Sequence, residues 1–167
     1  MRRFGLGACT FISIVALFLA SGCTPEQVGQ TAISTDDGRV YLHLVRCDSS
    51  SPVLRVSLLD DMSRQDYASW LVSSADVPVV SWPLQGGPPV GGVTVEKPLE
   101  AQLAAGTSLE LLGLDDGSAK GTSPLWFTWR QVDRLAPGQY LVAGGGTAPT
   151  AIIEGNLTDL LRQVCGP

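Results

Sequence analysis

Val53-Leu54-Arg55-Val56-Ser57-Leu58-Leu59 is the stretch that decides the fold. Successive side chains of an extended chain point to opposite faces. Leu54, Val56 and Leu58 therefore share one face, and Arg55 and Ser57 share the other. One face suits a core and the other suits water, which predicts a half-buried β-strand. Pro52 precedes it and Asp60-Asp61 ends it as a turn. The same reading recurs outward. Residues 39–46 (RVYLHLVR) carry β-branched and aromatic side chains at period two. Residues 66–73, with Tyr67 and Trp70, fit a third strand or a short helix. Residues 77–82 form a strand with Pro78 near its start, which suits a sheet edge. Residues 94–96, 107–112, 125–133 and 139–143 are further strands. In the third of these, Leu125, Phe127 and Trp129 face one way, with Thr128 and Arg130 opposite. Residues 156–165 differ: Leu157, Leu160, Leu161 and Val164 fall at helical spacing behind Asn156, a good cap.

Many short strands, Gly/Pro-rich turns and one short C-terminal helix predict a mainly β domain, an antiparallel β-sandwich. Leu135-Ala136-Pro137-Gly138-Gln139-Tyr140 resembles the tyrosine corner of Greek-key sandwiches, in which a glycine turn leads into a strand. The resemblance implies an Ig-like topology, with a small barrel as the alternative. It gives Tyr140 a structural role, with its hydroxyl bonded back to the backbone upstream.

The N-terminus carries a different signal. Met1-Arg2-Arg3 is positive, residues 4–20 are almost wholly apolar, and Ala20-Ser21-Gly22-Cys23 follows. This order resembles the lipobox signal of bacterial lipoproteins. The resemblance implies a diacylglyceryl group on the Cys23 sulfur and cleavage just before it. The chain would then be held on the extracytoplasmic face of a cell membrane. Residues 1–22 would be removed, leaving 145 of the 167 residues, a length that suits one domain. Residues 23–38 are rich in Pro, Gln, Thr, Ser, Asp and Gly and are expected to be a lipidated cysteine and a flexible tether. Pairing of part of it as an edge strand through Val28 or Ile33 is the alternative. Residues 39–167 are the expected β-domain.

On that reading the cysteines resolve. Cys9 lies in the removed segment and Cys23 is consumed by lipid, leaving Cys47 and Cys165. Disulfides persist in an exported chain, so a Cys47–Cys165 bridge is expected.

Charge and motifs narrow the function. Loss of residues 1–22 removes Arg2 and Arg3, taking 11 basic residues to nine against 16 acidic ones and the net charge from −5 to −7. Such a surface has no electrostatic reason to seek nucleic acid. His43 is the only histidine, set in a strand between Leu42 and Leu44, and reads as a packed or surface residue. There is no G-x-S-x-G elbow, S-x-x-K, HExxH or CxxC, so no catalytic residue, metal or cofactor is assigned. Asp60-Asp61 and Asp115-Asp116-Gly117 read as turns whose carboxylates bond their own backbone. The loop from Gln85 to Gly92, with Pro88 and Pro89, reads as a long hairpin connector that could touch a partner. Trp126 lies opposite Phe127 in the alternation and is a second contact candidate if it faces solvent, with burial between the sheet and the terminal helix the alternative. Asn156-Leu157-Thr158 matches a glycosylation sequon that a bacterial lipoprotein would not normally use.

The expected function is a non-enzymatic, membrane-anchored module that binds an envelope protein or a small ligand. A carrier of a lipid or other hydrophobic molecule, a hydrolase with a dispersed site, and a purely structural surface protein are the alternatives. Replacing Cys23 by Ala should abolish metabolic labelling with radioactive palmitate and either release the chain or leave its signal uncleaved. Labelling unchanged from wild type would refute the anchor.

Overall fold

The computed structural model of the protein describes residues 26–47, 54–73, 77–87, 90–100, 102–115, 120–144 and 149–166. The alternation at residues 53–59 becomes β3 (Leu54–Asp60), with Leu54, Val56 and Leu58 fully buried. Its edges pair with β4 (Asp66–Val72) and β7 (Ser108–Leu114). The remaining strands are β1 (Glu26–Asp36), β2 (Arg39–Arg46), β5 (Val79–Pro83), β6 (Val93–Lys97), β8 (Lys120–Ser123), β9 (Leu125–Thr128), β10 (Gln139–Ala143) and β11 (Thr150–Glu154). The helices are α1 (Trp129–Val132) and α2 (Leu157–Cys165).

Among the described residues the eleven strands form one sheet. Its main path runs β5–β2–β1–β8–β7–β3–β4–β6, while β10 and β11 branch from β1 and β9 pairs with β7. All these pairings are antiparallel except β1–β8. The path curls into a nearly closed barrel whose end strands, β5 and β6, face each other across a seam. The mainly β class and the C-terminal helix are as expected. The two-sheet, Ig-like arrangement is not what the strands make, because β1 and β7 each bridge what would be separate sheets. Nor does Tyr140 make a tyrosine corner: among the described residues its hydroxyl has no hydrogen-bond partner, and its ring meets His43 edge-on at 5.2 Å.

The expected tether at residues 23–38 is corrected most sharply. Residues 26–36 are β1, and Val28, Ala32 and Ile33 are buried. Asp37 and Gly38, with φ of 46° and 74°, turn β1 into β2 as a two-residue hairpin. One edge of β1 pairs with β2 along residues 29–36. The other edge pairs with β8 through residues 26–30 and with β10 through residues 32–34. The polar composition is tolerated because the side chains find partners. Thr31, fully buried, donates to the Leu111 carbonyl of β7 at 3.3 Å, and Ser34 bonds His43.

A second difference lies at residue 129, where the expected strand becomes α1. Thr128 and Gln131 form a capping box, with the Thr128 N–H donating to Gln131 Oε1 at 2.7 Å. Asn156 caps α2 as expected, accepting from the N–H groups of Thr158 and Asp159 at 2.8 and 3.1 Å.

Two cores result. Inward side chains such as Leu42, Leu44, Leu58, Trp70, Trp82 and Leu111 fill the barrel. On the outer face of β1, β2 and β10, Ala32, Val45, Tyr140 and Val142 pack against Leu160 of α2. Cys47 and Cys165 are disulfide-bonded, with Cα atoms 5.1 Å apart and a sequence separation of 118. The bridge ties the end of α2 to the exit of β2. Denaturant unfolding of a Cys47→Ser/Cys165→Ser variant should show a stability loss of about 2–5 kcal/mol, the range for closing so long a loop. Midpoints that match the wild type would contradict it.

Candidate functional site

The seam between β5 and β6 opens as a concavity. Within the described residues β5 pairs only with β2, and β6 only with β4. The gap leaves a cleft of about 420 Å³, in the range that suits a small ligand. Trp70 of β4 and Trp82 of β5 make its floor, their rings 6.0 Å apart and tilted by 56°. Val90, Val93, Val95 and Leu99 complete an uncharged lining. Val95 is opposite Trp70 in the register, which puts it on the inner face, yet it is 55% exposed because no described strand lies beyond β6. Gln85 Nε2 donates to the Leu99 carbonyl at 3.3 Å and ties the two walls at one end. Gly87, with φ of 106°, takes a conformation that side chains resist, and a Cβ there would press on Pro83. Trp82 is 3% exposed, and among the described residues its indole N–H has no acceptor. A buried donor without a partner costs about 1–3 kcal/mol, and because this one is shut off from solvent, an acceptor brought from outside meets it only as the cleft walls part.

A second, smaller pocket of about 240 Å³ opens on the outer face, beside Leu157 at the start of α2. The register aligns its polar residues across four strands. Tyr140 of β10 is opposite Ser34 of β1, and His43 of β2 is opposite Ser81 of β5. Ala32 faces His43, so Ser34 and His43 are diagonal neighbours. Ser34 Oγ lies 2.8 Å from His43 Nε2, and Ser81 Oγ lies 2.7 Å from His43 Nδ1. Burial lowers the imidazole pKa to about 4, so the ring is neutral at pH 7. Burial first, and the carboxylates of Asp159 and Asp36 after it, raise the Tyr140 phenol above its ordinary range.

The other sequence candidates fall elsewhere. Cys23, Pro88 and Pro89 lie outside the described residues, although Gly86, Gly87 and Val90 from the loop of the two prolines line the seam. Trp126 is 42% exposed on β9, opposite Glu110, and does not line the cleft. Glu110 itself is buried and paired with Arg64. Asp60 behaves as a turn residue: it accepts from the N–H groups of Met62 and Ser63 at 3.1 and 2.7 Å. The Ser63 bonds foremost hold its carboxyl below the ordinary range. The Asp115 carboxylate accepts from the Lys120 N–H at 3.3 Å across the β7–β8 turn. Among the described residues no cluster of His, Cys, Asp and Glu could hold a metal ion. Sequence alone gives His43 no partners. Alternation puts His43 on the face opposite Leu42 and Leu44, but only the strand register brings serines to both its nitrogens. No family model, curated protein or solved structure matches this chain.

The neutral histidine makes stability depend on pH. Above about 6.5 the ring is uncharged in both folded and unfolded chains, and no proton is taken up on unfolding. Between 6.5 and about 4 the unfolded chain binds a proton that the folded one refuses. Stability therefore falls as pH drops through this window, by about 3 kcal/mol from this group. Urea unfolding at pH 7 and pH 4 should show a smaller difference in His43→Gln than in wild type. An identical difference would refute the assignment.

Proposed function

We propose that this chain is a lipid-anchored extracytoplasmic binding module whose β5–β6 cleft takes a small apolar ligand carrying one hydrogen-bond acceptor. The observation that carries this reading is the buried Trp82 N–H, unpartnered in an otherwise apolar and uncharged lining. Pockets for small ligands combine this kind of lining with a few placed polar groups. The cleft brings no nucleophile or base to its walls, so its role is binding without chemistry of its own. The acidic balance of the chain favours a neutral ligand over an anionic one.

The anchor half of the reading is supported by the resemblance of Ala20-Ser21-Gly22-Cys23 to a lipobox. Only Thr24 and Pro25 separate Cys23 from β1. The cleft lies near the other end of that strand: Pro83 pairs with Tyr41, and Tyr41 with Ser34. The strand from Glu26 to Ser34, eight residue steps, spans roughly 26 Å. A ligand would therefore be taken up on the side facing away from the anchored membrane, from an envelope partner or the surrounding medium.

Displacement of the fluorescent probe 1-aminoanthracene by methyl decanoate tests the reading. Wild type should bind both. Trp82→Phe should keep the probe but weaken methyl decanoate about three- to tenfold, the worth of one hydrogen bond. Val95→Arg, an exposed change at the cleft mouth, should weaken both. Absence of binding by folded wild-type protein at millimolar ligand would overturn the proposal.

A further inference from the structure

We infer that Ser34, His43 and Ser81 form a nucleophilic serine site that accepts the acyl group of small esters. This goes beyond ligand binding and concerns the outer face of the sheet, where the seam cleft has no part. Nucleophilic catalysis needs a hydroxyl within hydrogen-bond reach of a base that a third group orients. All three parts are present. Ser34 Oγ is 2.8 Å from Nε2 of His43, and Ser81 Oγ is 2.7 Å from Nδ1. Among the described residues neither serine side chain bonds anywhere else, so the contacts are not by-products of capping or turn formation. With Nδ1–H donating to Ser81, Nε2 is left as the acceptor of the Ser34 proton. Both serines, the imidazole and Tyr140 line one pocket open to solvent, and its volume of about 240 Å³ suits a short acyl group. Burial keeps the ring neutral at working pH, able to accept a proton although a weaker base than a free imidazole. The groups facing it are Ser34, Ser81, Tyr41 and Tyr140, with Asp36 at the pocket rim.

In the reaction, Ser34 Oγ adds to the ester carbonyl while its proton passes to His43 Nε2. The bond to the alcohol then breaks, and the imidazolium returns the proton to the departing alkoxide. Water hydrolyses the acyl-serine by the same exchange, releasing a carboxylic acid and restoring Ser34. Tyr140, opposite Ser34 and with its hydroxyl unpartnered among the described residues, is the donor available to the carbonyl oxygen as it gains charge. Ser81 is a positioning residue, since it acts only through His43.

Diisopropyl fluorophosphate is the probe. Attack by Ser34 forms the Oγ–P bond, fluoride leaves, and His43 takes the proton. Mass spectrometry of digested, labelled wild-type protein should find one adduct, on Ser34, lost in Ser34→Ala. The labelling rate of folded wild type should be flat from about pH 5.5 to 8, because the base is already deprotonated. Ser81→Ala should slow labelling and shift that profile, and Ser81→Thr should restore it. Tyr140→Phe should slow labelling by about tenfold or more. Three results would overturn the proposal: no adduct on Ser34, a rate in folded His43→Gln equal to wild type, or a rate rising in proportion to hydroxide, as for an unactivated alcohol. The pH profile decides the matter on the native chain if the histidine variant does not fold.

Discussion

Every backbone N–H and C=O of a buried strand must find a partner, and in this protein that constraint converges on β1. The strand is flanked on both sides, by β2 along one edge and by β8 and then β10 along the other. Its eleven residues therefore belong to two sheet neighbourhoods at once. The half beside β8 carries the path on to β7, β3, β4 and β6, which closes the barrel. The half beside β10 supports the outer layer, where α2 covers Ala32 and Tyr140. Remove β1 and the two cores lose their common wall. The disulfide reinforces the same region, since Cys47 follows directly on β2, and its N–H donates to the Val28 carbonyl of β1 at 3.0 Å.

The strands written in apolar alternation were legible. Leu54, Val56 and Leu58 are inside as their spacing requires. Strands whose side chains are polar or small were not. Gln27, Gly29, Gln30, Thr31, Ser34 and Thr35 hide β1, because alternation measures side-chain transfer and β1 is held by its backbone and by bonds such as Thr31 to Leu111. Asp37-Gly38 was the local signal for it, a dipeptide suited to a two-residue hairpin. β8, Lys-Gly-Thr-Ser, is equally silent in hydropathy and is placed by its neighbours. Both candidate sites share this limit. Trp82 reads as core until the missing strand beside it is known, and His43 reads as inert until the register supplies Ser34 and Ser81.

The seam also bears on how the sheet handles its open edges. Unpaired strand edges invite association with other chains. Pro83 ends β5 and removes an N–H donor from that edge. On β6, Glu96 pairs with Arg55 of β3 at 2.7 Å, and the Lys97 ammonium donates to the Asp66 carbonyl. Charges and a proline thus discourage a further strand, while the apolar floor between the two tryptophans stays open. The gap favours a compact guest over an extended one.

The placement of β1 also governs how the domain responds to force. Hydrogen bonds between antiparallel strands lie across the strand direction. A pull on residue 26 along the axis of β1 loads its bonds to β2, β8 and β10 together, in shear. They cannot open one at a time, as they would if the strand were peeled from an edge. A domain that entered its sheet through a marginal outer strand would unravel under tension from its N-terminal side. This one takes up such tension at its centre.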